Sequence, residues 1–242
     1  MKIAILNYTG TVGKTTVAAH LLSPRMQAPI FAIESINETA QGLGIDVEKM
    51  DGNKFRTLFK KMMLEEAVII DIGASNIEEF MNNMIKFDDS HEEFDLFLIP
   101  VTSGTKEQKE TVLMINTLSS IGIRKEKIKV IFNRVDNDVD EEFCFVINHH
   151  KKAKNFTLNK ECAIFENELF DALSIKGLTV DALLSDETDY KSLLKNNKEA
   201  SEKDRNHWAD MFGLKALAKS VKRNLDSVFD NLEMKWHDKK RA

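Results

Sequence analysis

The sequence predicts an α/β fold, in which a mostly parallel β-sheet is sandwiched by helices and extra helices follow at the C-terminus. Short apolar runs alternate with longer stretches of helical periodicity, and a glycine loop joins the first run to the first helix. The runs are nearly all apolar, which is typical of strands buried on both faces of a sheet. The predicted strands are Lys2–Leu6, Ile30–Ile33, Ala67–Ile72, Leu96–Val101, Ile128–Phe132 and Cys162–Phe165.

The segments between these strands have the periodicity of amphipathic helices. Val112, Ile115 and Leu118, for example, recur at helical spacing with charged residues on the opposite face. This alternation of strands and helices favours a parallel sheet, whose ligands bind at the carboxyl ends of the strands. The predicted helices are Thr15–Leu22, Lys54–Leu64, Asn76–Phe87, Lys106–Ile121 and Glu141–Lys152.

The pattern changes after residue 185. Residues 186–205 are highly charged, which predicts an exposed helix or a connector, and apolar residues then recur every three or four positions from Trp208 to Leu232. That spacing predicts an amphipathic helix, which Gly213 could interrupt. The sequence therefore divides into a main domain, residues 1–185, and a C-terminal helical extension, residues 186–242.

Composition narrows the class of protein. A net charge of −5 argues against a chain that as a whole coats nucleic acid, and a hydrophobic fraction of 43% is enough for a sizeable core. Cys144 and Cys162 form no CxxC motif, and we interpret them as reduced packing thiols of a cytoplasmic protein. No apolar run approaches the ~20 residues that span a bilayer, so no transmembrane segment is expected. The scattered histidines predict no metal site built from protein ligands alone.

The glycine loop after the first strand has the composition of a phosphate-binding loop. Glycines let the backbone turn sharply and bring N–H groups close to phosphate oxygens. Lys14 would place a positive charge on the β- and γ-phosphates, and the Thr15 hydroxyl would bind Mg²⁺. The general pattern for such loops has a glycine where this chain has Tyr8. The predicted nucleotide-binding residues of the loop are Gly10, Thr11, Val12, Gly13, Lys14, Thr15 and Thr16.

Two later strand ends carry polar residues that suit the same ligand. Asp71 ends a buried run, where it would hold Mg²⁺ through water or simply cap the next turn. Asn133 can both donate to and accept from a purine edge, or it is an ordinary turn residue. Asp136 makes this segment similar to the N-K-x-D guanine reader, so these residues alone leave ATP and GTP open. The Glu166-Asn167 loop follows the last predicted strand and is expected to lie over the base.

In their order along the chain, the loop and these strand ends resemble the ParA/MinD group of P-loop ATPases, which position DNA or protein cargo in bacteria. The shared order covers about residues 1–185. The opening segment MKIAILNYTGTVGKTTVAAHLLSPR, with Ala32–Asn37 and Asp71–Asn76, is also similar to the StbB plasmid-stability proteins of conjugative plasmids.

The resemblance implies ATP or ADP and Mg²⁺ as cofactors, often an ATP-dependent homodimer, and a role in plasmid or chromosome segregation with a partition or DNA-binding partner protein. It assigns Lys14 and Asp71 to catalysis and Thr15 and Asp71 to the metal. It also assigns Asn133 to the adenine, and this favours ATP over GTP.

Two departures from the family pattern bear on hydrolysis. The family's loop, K-G-G-x-G-K-T, has an early lysine that reaches the partner's nucleotide across the dimer, but here Thr9 and Thr11 replace that lysine and the second glycine. The family's D-x-D-P segment supplies an acid that orients the attacking water, and the aligned residue here is Ile36. Isoleucine can neither accept a proton nor order a water. Slow hydrolysis is therefore expected, with Glu34 or Glu38 as candidate substitutes.

Basic residues on the C-terminal helix form a second candidate surface. They could grip DNA phosphates without reading sequence, or they could be an ordinary solvated face. The residues of this face are Lys215, Lys219, Lys222 and Arg223.

Together these features predict an ATP-binding, ParA/MinD-like motor or switch that acts in plasmid stability and segregation and in conjugative transfer. Two alternatives stay open. One is a metabolic P-loop enzyme, such as a dethiobiotin-synthetase-like ligase or a small-molecule kinase. The other is a nucleotide-binding adaptor without meaningful hydrolysis.

Overall fold

A computed structural model describes residues 1–33, 47–50 and 55–234 of the chain. Seven parallel strands form one sheet in the order β3-β2-β4-β1-β5-β6-β7, with helices on both faces. The α/β fold predicted from the sequence is thus confirmed. The strands are β1 Lys2–Ile5, β2 Ile30–Ile33, β3 Val47–Met50, β4 Val68–Ile72, β5 Leu96–Val101, β6 Ile128–Val135 and β7 Ala163–Phe165.

Eleven α-helical segments lie within the described residues, with a π-helical segment, Val17–Leu22, between the first two. Short 3₁₀ turns occur at Ala74–Asn76, Ser90–Glu93 and Lys125–Lys127. The helices are α1 Lys14–Thr16, α2 Ser23–Met26, α3 Phe55–Leu64, α4 Ile77–Lys86, α5 Thr105–Ser120, α6 Val139–Glu142, α7 Cys144–Ala153, α8 Leu169–Lys176, α9 Val180–Ser185, α10 Tyr190–Asn196 and α11 Glu202–Asn231.

Two strands depart from the sequence prediction. Strand β3 has no counterpart among the predicted strands, because two of its four residues are charged and give no apolar run. Among the described strands it pairs with β2 alone, and such edge positions tolerate charge. Strand β6 was expected to end at Phe132 but continues to Val135, so Asn133 lies inside the strand.

Apolar side chains on the two faces of the sheet form two separate hydrophobic clusters. Ala4 and Ile70 belong to one cluster, and their neighbours Ile3 and Ile5 belong to the other. All four are buried, so the central strands are covered on both sides, as their apolar composition indicates.

Helix α11 is part of one of these clusters. It runs unbroken through Gly213, so the interruption that this glycine could have caused does not occur. Its buried residues, among them Leu214, Ala218 and Leu225, share a cluster with Ile3 of β1 and with Leu21. Leu21 lies in the first helical stretch, the continuous run 14–26 formed by α1, the π-helical segment and α2. The division of the chain at residue 185 stays a prediction. Among the described residues, no helix is both long enough and apolar enough to span a membrane.

Candidate phosphate-loop site

The glycine loop lies at the carboxyl end of β1, in the middle of the sheet. Strand β1 pairs with β4 on one side and β5 on the other, and Ile5 is in register with Asp71. The loop that leaves β1 therefore begins beside Asp71, the penultimate residue of β4. This proximity follows directly from the parallel pairing, because the carboxyl ends of parallel strands meet at one edge.

Gly13 is the position in the loop where only glycine fits. Its φ of 86° and ψ of 32° are left-handed, and its carbonyl accepts the Val17 N–H at 3.0 Å as the helix begins. A Cβ at Gly13 would lie 2.2 Å from Nδ2 of Asn133. At Gly10, by contrast, a Cβ would meet no atom within 4 Å. The two glycines predicted to shape the loop thus differ in how strictly the fold requires them.

Lys14 directs its ammonium group into the loop. Its side chain is buried, and Nζ donates to the carbonyl of Thr9 at 2.7 Å and to the carbonyl of Asn7 at 3.3 Å. The loop carbonyls therefore hold the positive charge at the centre of the loop, where the predicted role requires it.

Thr15 and Asp71 form the direct side-chain contact between the loop and β4. The Thr15 hydroxyl donates to Oδ2 of Asp71 at 2.7 Å. Asp71 is only 2% exposed, and burial raises the pKa of its carboxyl group, against the hydrogen bond from Thr15 and the charge of Lys14. A hydroxyl and a carboxylate oxygen at this spacing are ligands that suit Mg²⁺. The two predicted metal ligands are thus neighbours.

Asn133 joins β6 to the loop. Its Nδ2 donates to the Val12 carbonyl at 2.9 Å, which accounts for its close approach to Gly13. This contact uses one of the two amide N–H groups, and the side chain also has an acceptor oxygen. From the sequence, Asn133 is either a contact to the base or an ordinary turn residue, whereas the structure shows that it holds the loop backbone.

Thr9 stands where the resemblance places a lysine that crosses a dimer. Its side chain instead points inward, since it is 8% exposed and its hydroxyl donates to Oε2 of Glu110 on α5 at 2.6 Å. Nothing in the sequence pattern signals this contact, because Glu110 lies 101 residues away. The other departures, at Ile36 and its neighbours Glu34 and Glu38, lie outside the described residues.

A cavity of about 190 Å³ adjoins the helical end of the loop. Glu166 and Asn167 line the cavity, and Arg134 contacts Glu166 across 3.8 Å. That their loop lies over the base stays a prediction. Arg134 has a left-handed φ of 55° at an irregularity of the β6–β7 pairing. The residues that line the cavity include Thr15, Thr16, His20, Asn133, Phe165 and Phe170.

The sequence did not identify His20 and Phe170 as site residues, although both line the cavity. His20 follows Thr16 by one helical turn, and this spacing is a signal that could have found it. Phe170 has no such signal, because α8 reaches the cavity only through its packing.

Asp136, the residue that would read guanine, points elsewhere. It is exposed and is not among the described residues that line the cavity. Its Oδ2 accepts from Nδ2 of Asn137 at 3.0 Å, and its backbone N–H is held by the Glu142 carboxylate. This arrangement does not favour the guanine reader.

Half of the C-terminal basic face is engaged within the chain. Lys215 lies 3.5 Å from Oδ2 of Asp186, and Lys222 lies 3.1 Å from Oδ1 of Asp226. Lys219 and Arg223 are exposed. The surface is therefore less basic than the sequence pattern indicates.

Comparison with sequences gives one short match. No protein-family model matches the chain. A 92-residue stretch, 38% of the chain, is 34% identical to a DNA replication helicase of Autographa californica nuclear polyhedrosis virus, but it spans only 7% of that helicase.

Comparison with solved structures gives matches over 77% to 98% of the chain. The ATP complex of a variant of McdA from Cyanothece matches with a TM-score of 0.53 and 14% identity, over 98% of this chain and 97% of McdA. The cell division ATPase MinD of Pyrococcus furiosus matches with a TM-score of 0.54 and 11% identity, over 96% and 98% of the two chains. The MinC:MinD cell division complex of Aquifex aeolicus matches with a TM-score of 0.53 and 16% identity, over 77% and 88%. This chain therefore has the fold of these McdA and MinD proteins.

Proposed function

We propose that this protein is a nucleotide-binding switch that takes ATP with Mg²⁺ and hydrolyses it slowly. The observation that carries the proposal is the arrangement at one edge of the sheet. A left-handed glycine precedes the buried Lys14, and the Thr15 hydroxyl contacts the Asp71 carboxylate at 2.7 Å. Each of these groups has a separate task in binding a nucleotide.

These groups bind different parts of the ligand. The loop amides and Lys14 bind the phosphates, and Lys14 then exchanges its contacts with the Thr9 and Asn7 carbonyls for phosphate oxygens. Thr15 and Asp71 would hold Mg²⁺, which would neutralise phosphate charge when bound. A cation beside Asp71 also stabilises the ionised carboxylate that burial disfavours.

Slow hydrolysis is supported by the surroundings of Thr9. A threonine that donates to Glu110 adds no positive charge near the phosphates, whereas fast turnover needs added charge stabilisation and a positioned water. The same observation favours the adaptor as a second candidate, because binding needs only the loop, Lys14 and the metal ligands.

ATP is proposed over GTP for three reasons. The resemblance assigns Asn133 to adenine, and Asp136 lies away from the cavity. McdA, which shares the fold, was solved with ATP.

The biological role that we propose is positioning of plasmid DNA or a protein cargo. The StbB-like opening segment supports plasmid stability and conjugative transfer, and the fold shared with MinD supports a switch whose state a partner protein or a second copy of the chain reads. Lys219 and Arg223 would add at most weak, sequence-independent contacts with DNA.

The test is Mg²⁺-dependent binding and hydrolysis of ATP and GTP by the purified protein, with and without plasmid DNA. Wild type should bind ATP, and Lys14→Ala should bind it at least about 100-fold more weakly, because the phosphates lose a buried charge-assisted contact. Lys219→Ala, which removes an exposed lysine, is the matched control and should bind normally.

Three outcomes separate the candidates. DNA-stimulated turnover that Lys14→Ala abolishes supports the cycling switch. Binding without turnover supports the adaptor. Equal ATP affinity of wild type and Lys14→Ala contradicts the proposed site.

A further inference from the structure

We propose that His20, in addition to Asn133, recognises the base of the bound nucleotide, by donating its Nε2–H to a ring nitrogen of a purine. This inference rests on the proposed function, since it places the phosphates in the loop and the base in the adjoining cavity. His20 has no role in binding the phosphates or Mg²⁺ in the proposed function.

The place of His20 follows from the direction of the helix. The loop ends at Thr15 and Thr16, and His20 is one turn further along the same helical stretch. All three residues line the cavity. A nucleotide whose phosphates lie in the loop therefore extends its remaining part past Thr16 toward His20.

The hydrogen bonds of His20 define which ring nitrogen can reach a ligand. Its Nδ1 accepts the backbone N–H of Val180 at 3.4 Å, so the neutral ring carries its proton on Nε2. In the part of the chain that the structure describes, Nε2 makes no hydrogen bond, and His20 lines the cavity. Nε2 is therefore the ring nitrogen left to donate to a ligand there.

The neutral state of the ring is secured by its surroundings. The side chain is 1% exposed, and burial lowers its pKa to about 4. At neutral pH the imidazole is thus a single N–H donor without charge, which suits an uncharged acceptor and not a phosphate.

Two contacts fix the orientation of the ring. Nδ1 is held by the Val180 N–H, and the ring of Phe170 packs on the imidazole with centroids 5.5 Å apart. The backbone is held separately, since the His20 carbonyl accepts from Arg25 at 2.9 Å and Arg25 binds Asp226 of α11 at 2.6 Å. A donor held in one position discriminates between ligands better than a mobile one, because no ordering is needed on binding.

The chemistry of the acceptor points to a purine. Purine rings have unprotonated nitrogens on more than one edge, and Phe170 offers an aromatic wall against which a flat ring can pack. Such a donor should reject an analogue that lacks the accepted nitrogen, because the buried N–H is then left unpaired.

The experiment measures by calorimetry the binding of ATP, 7-deaza-ATP, 3-deaza-ATP, 1-deaza-ATP and inorganic tripolyphosphate. Wild type should bind one of the deaza analogues about tenfold more weakly than ATP. His20→Phe should lose about the same factor toward ATP and should no longer distinguish that analogue from ATP. Its affinity for tripolyphosphate should equal that of wild type.

Two further variants make the result specific. His20→Gln keeps an N–H donor and should recover part of the discrimination, and it carries the test if His20→Phe does not fold. His207→Phe is a matched control at an exposed position outside the cavity and should behave as wild type.

The failures of the two proposals are distinguishable. If Lys14→Ala loses ATP while wild type and His20→Phe bind ATP and all three deaza analogues equally, the role of His20 is overturned and the phosphate site stands. If wild type binds neither ATP nor tripolyphosphate, the proposed function and this inference both fall.

Discussion

The two halves of the candidate site are built in different ways. The phosphate half comes from one short stretch, Asn7–Thr15, together with Asp71 on the neighbouring strand. The base half is assembled from distant parts of the chain, with Phe170 and Val180 positioning His20 and Asp226 supporting it through Arg25.

The two halves therefore control different properties of the site, namely phosphate binding and the choice of nucleotide. The phosphate half depends on backbone conformation and on the pairing of β1 with β4, which any ligand with a triphosphate can exploit. The base half depends on how α8, α9 and α11 pack against the first helical stretch. Changes in those helices should therefore alter which nucleotide binds while leaving the phosphate contacts in place.

The largest expected effect is a loss of stability on substitution of Gly13 but not of Gly10, the two glycines of the phosphate half. Gly13→Ala should reduce the free energy of unfolding by about 3 kcal/mol, because alanine is strained at this φ and its Cβ would collide with Asn133. Chemical denaturation measures this loss. Gly10→Ala, with free space around its Cβ, should change stability by less than about 1 kcal/mol. Similar losses for both variants would contradict the described loop geometry.

The next effect tests the base half through pH. The His20 pKa of about 4 lies below the ordinary histidine value of 6.5, so the unfolded chain binds a proton that the folded chain rejects. The stability due to neutral His20 is fully present above pH 6.5 and is lost as pH falls toward 4. The loss should reach about 2 kcal/mol at pH 5.

Denaturant unfolding at pH 7.5 and pH 5 measures this dependence. His20→Phe should remove about 2 kcal/mol of it, while the exposed-site variant His207→Phe should keep the wild-type dependence. Asp71, whose pKa is raised, contributes a pH dependence of the opposite sign. Because Asp71 is present in both wild type and His20→Phe, the difference between the two proteins isolates the imidazole. An unchanged pH dependence in His20→Phe would show that the imidazole titrates normally in the folded protein.

The smallest expected effect concerns the link between His20 and the C-terminal helix. The Arg25 guanidinium donates to Asp226 and to the carbonyls of His20 and Leu21. A double-mutant cycle with Arg25→Ala and Asp226→Asn should give a coupling free energy of about 1 kcal/mol. Both variants should also weaken ATP binding more than tripolyphosphate binding. Equal weakening of the two ligands would mean that α11 supports the phosphate half as well.

The sequence by itself determined the fold class and the phosphate half of the site. The buried strands are continuous apolar runs, and a parallel sheet brings their carboxyl ends to one edge. The loop motif and Asp71 could therefore be assigned together before their contact was known. Gly13 acts through its local backbone conformation, and Lys14 contacts carbonyls only five and seven residues away. Such short-range features can be recognised in a sequence motif.

Only the tertiary structure decided the rest. The Asn133 contact with the Val12 carbonyl, the Thr9 contact with Glu110 and the enclosure of His20 each join residues more than 100 positions apart. Strand β3 likewise has no apolar run and exists through its pairing with β2. In all these cases the partner is set by how helices and strands pack, and periodicity along the chain has no information about that packing.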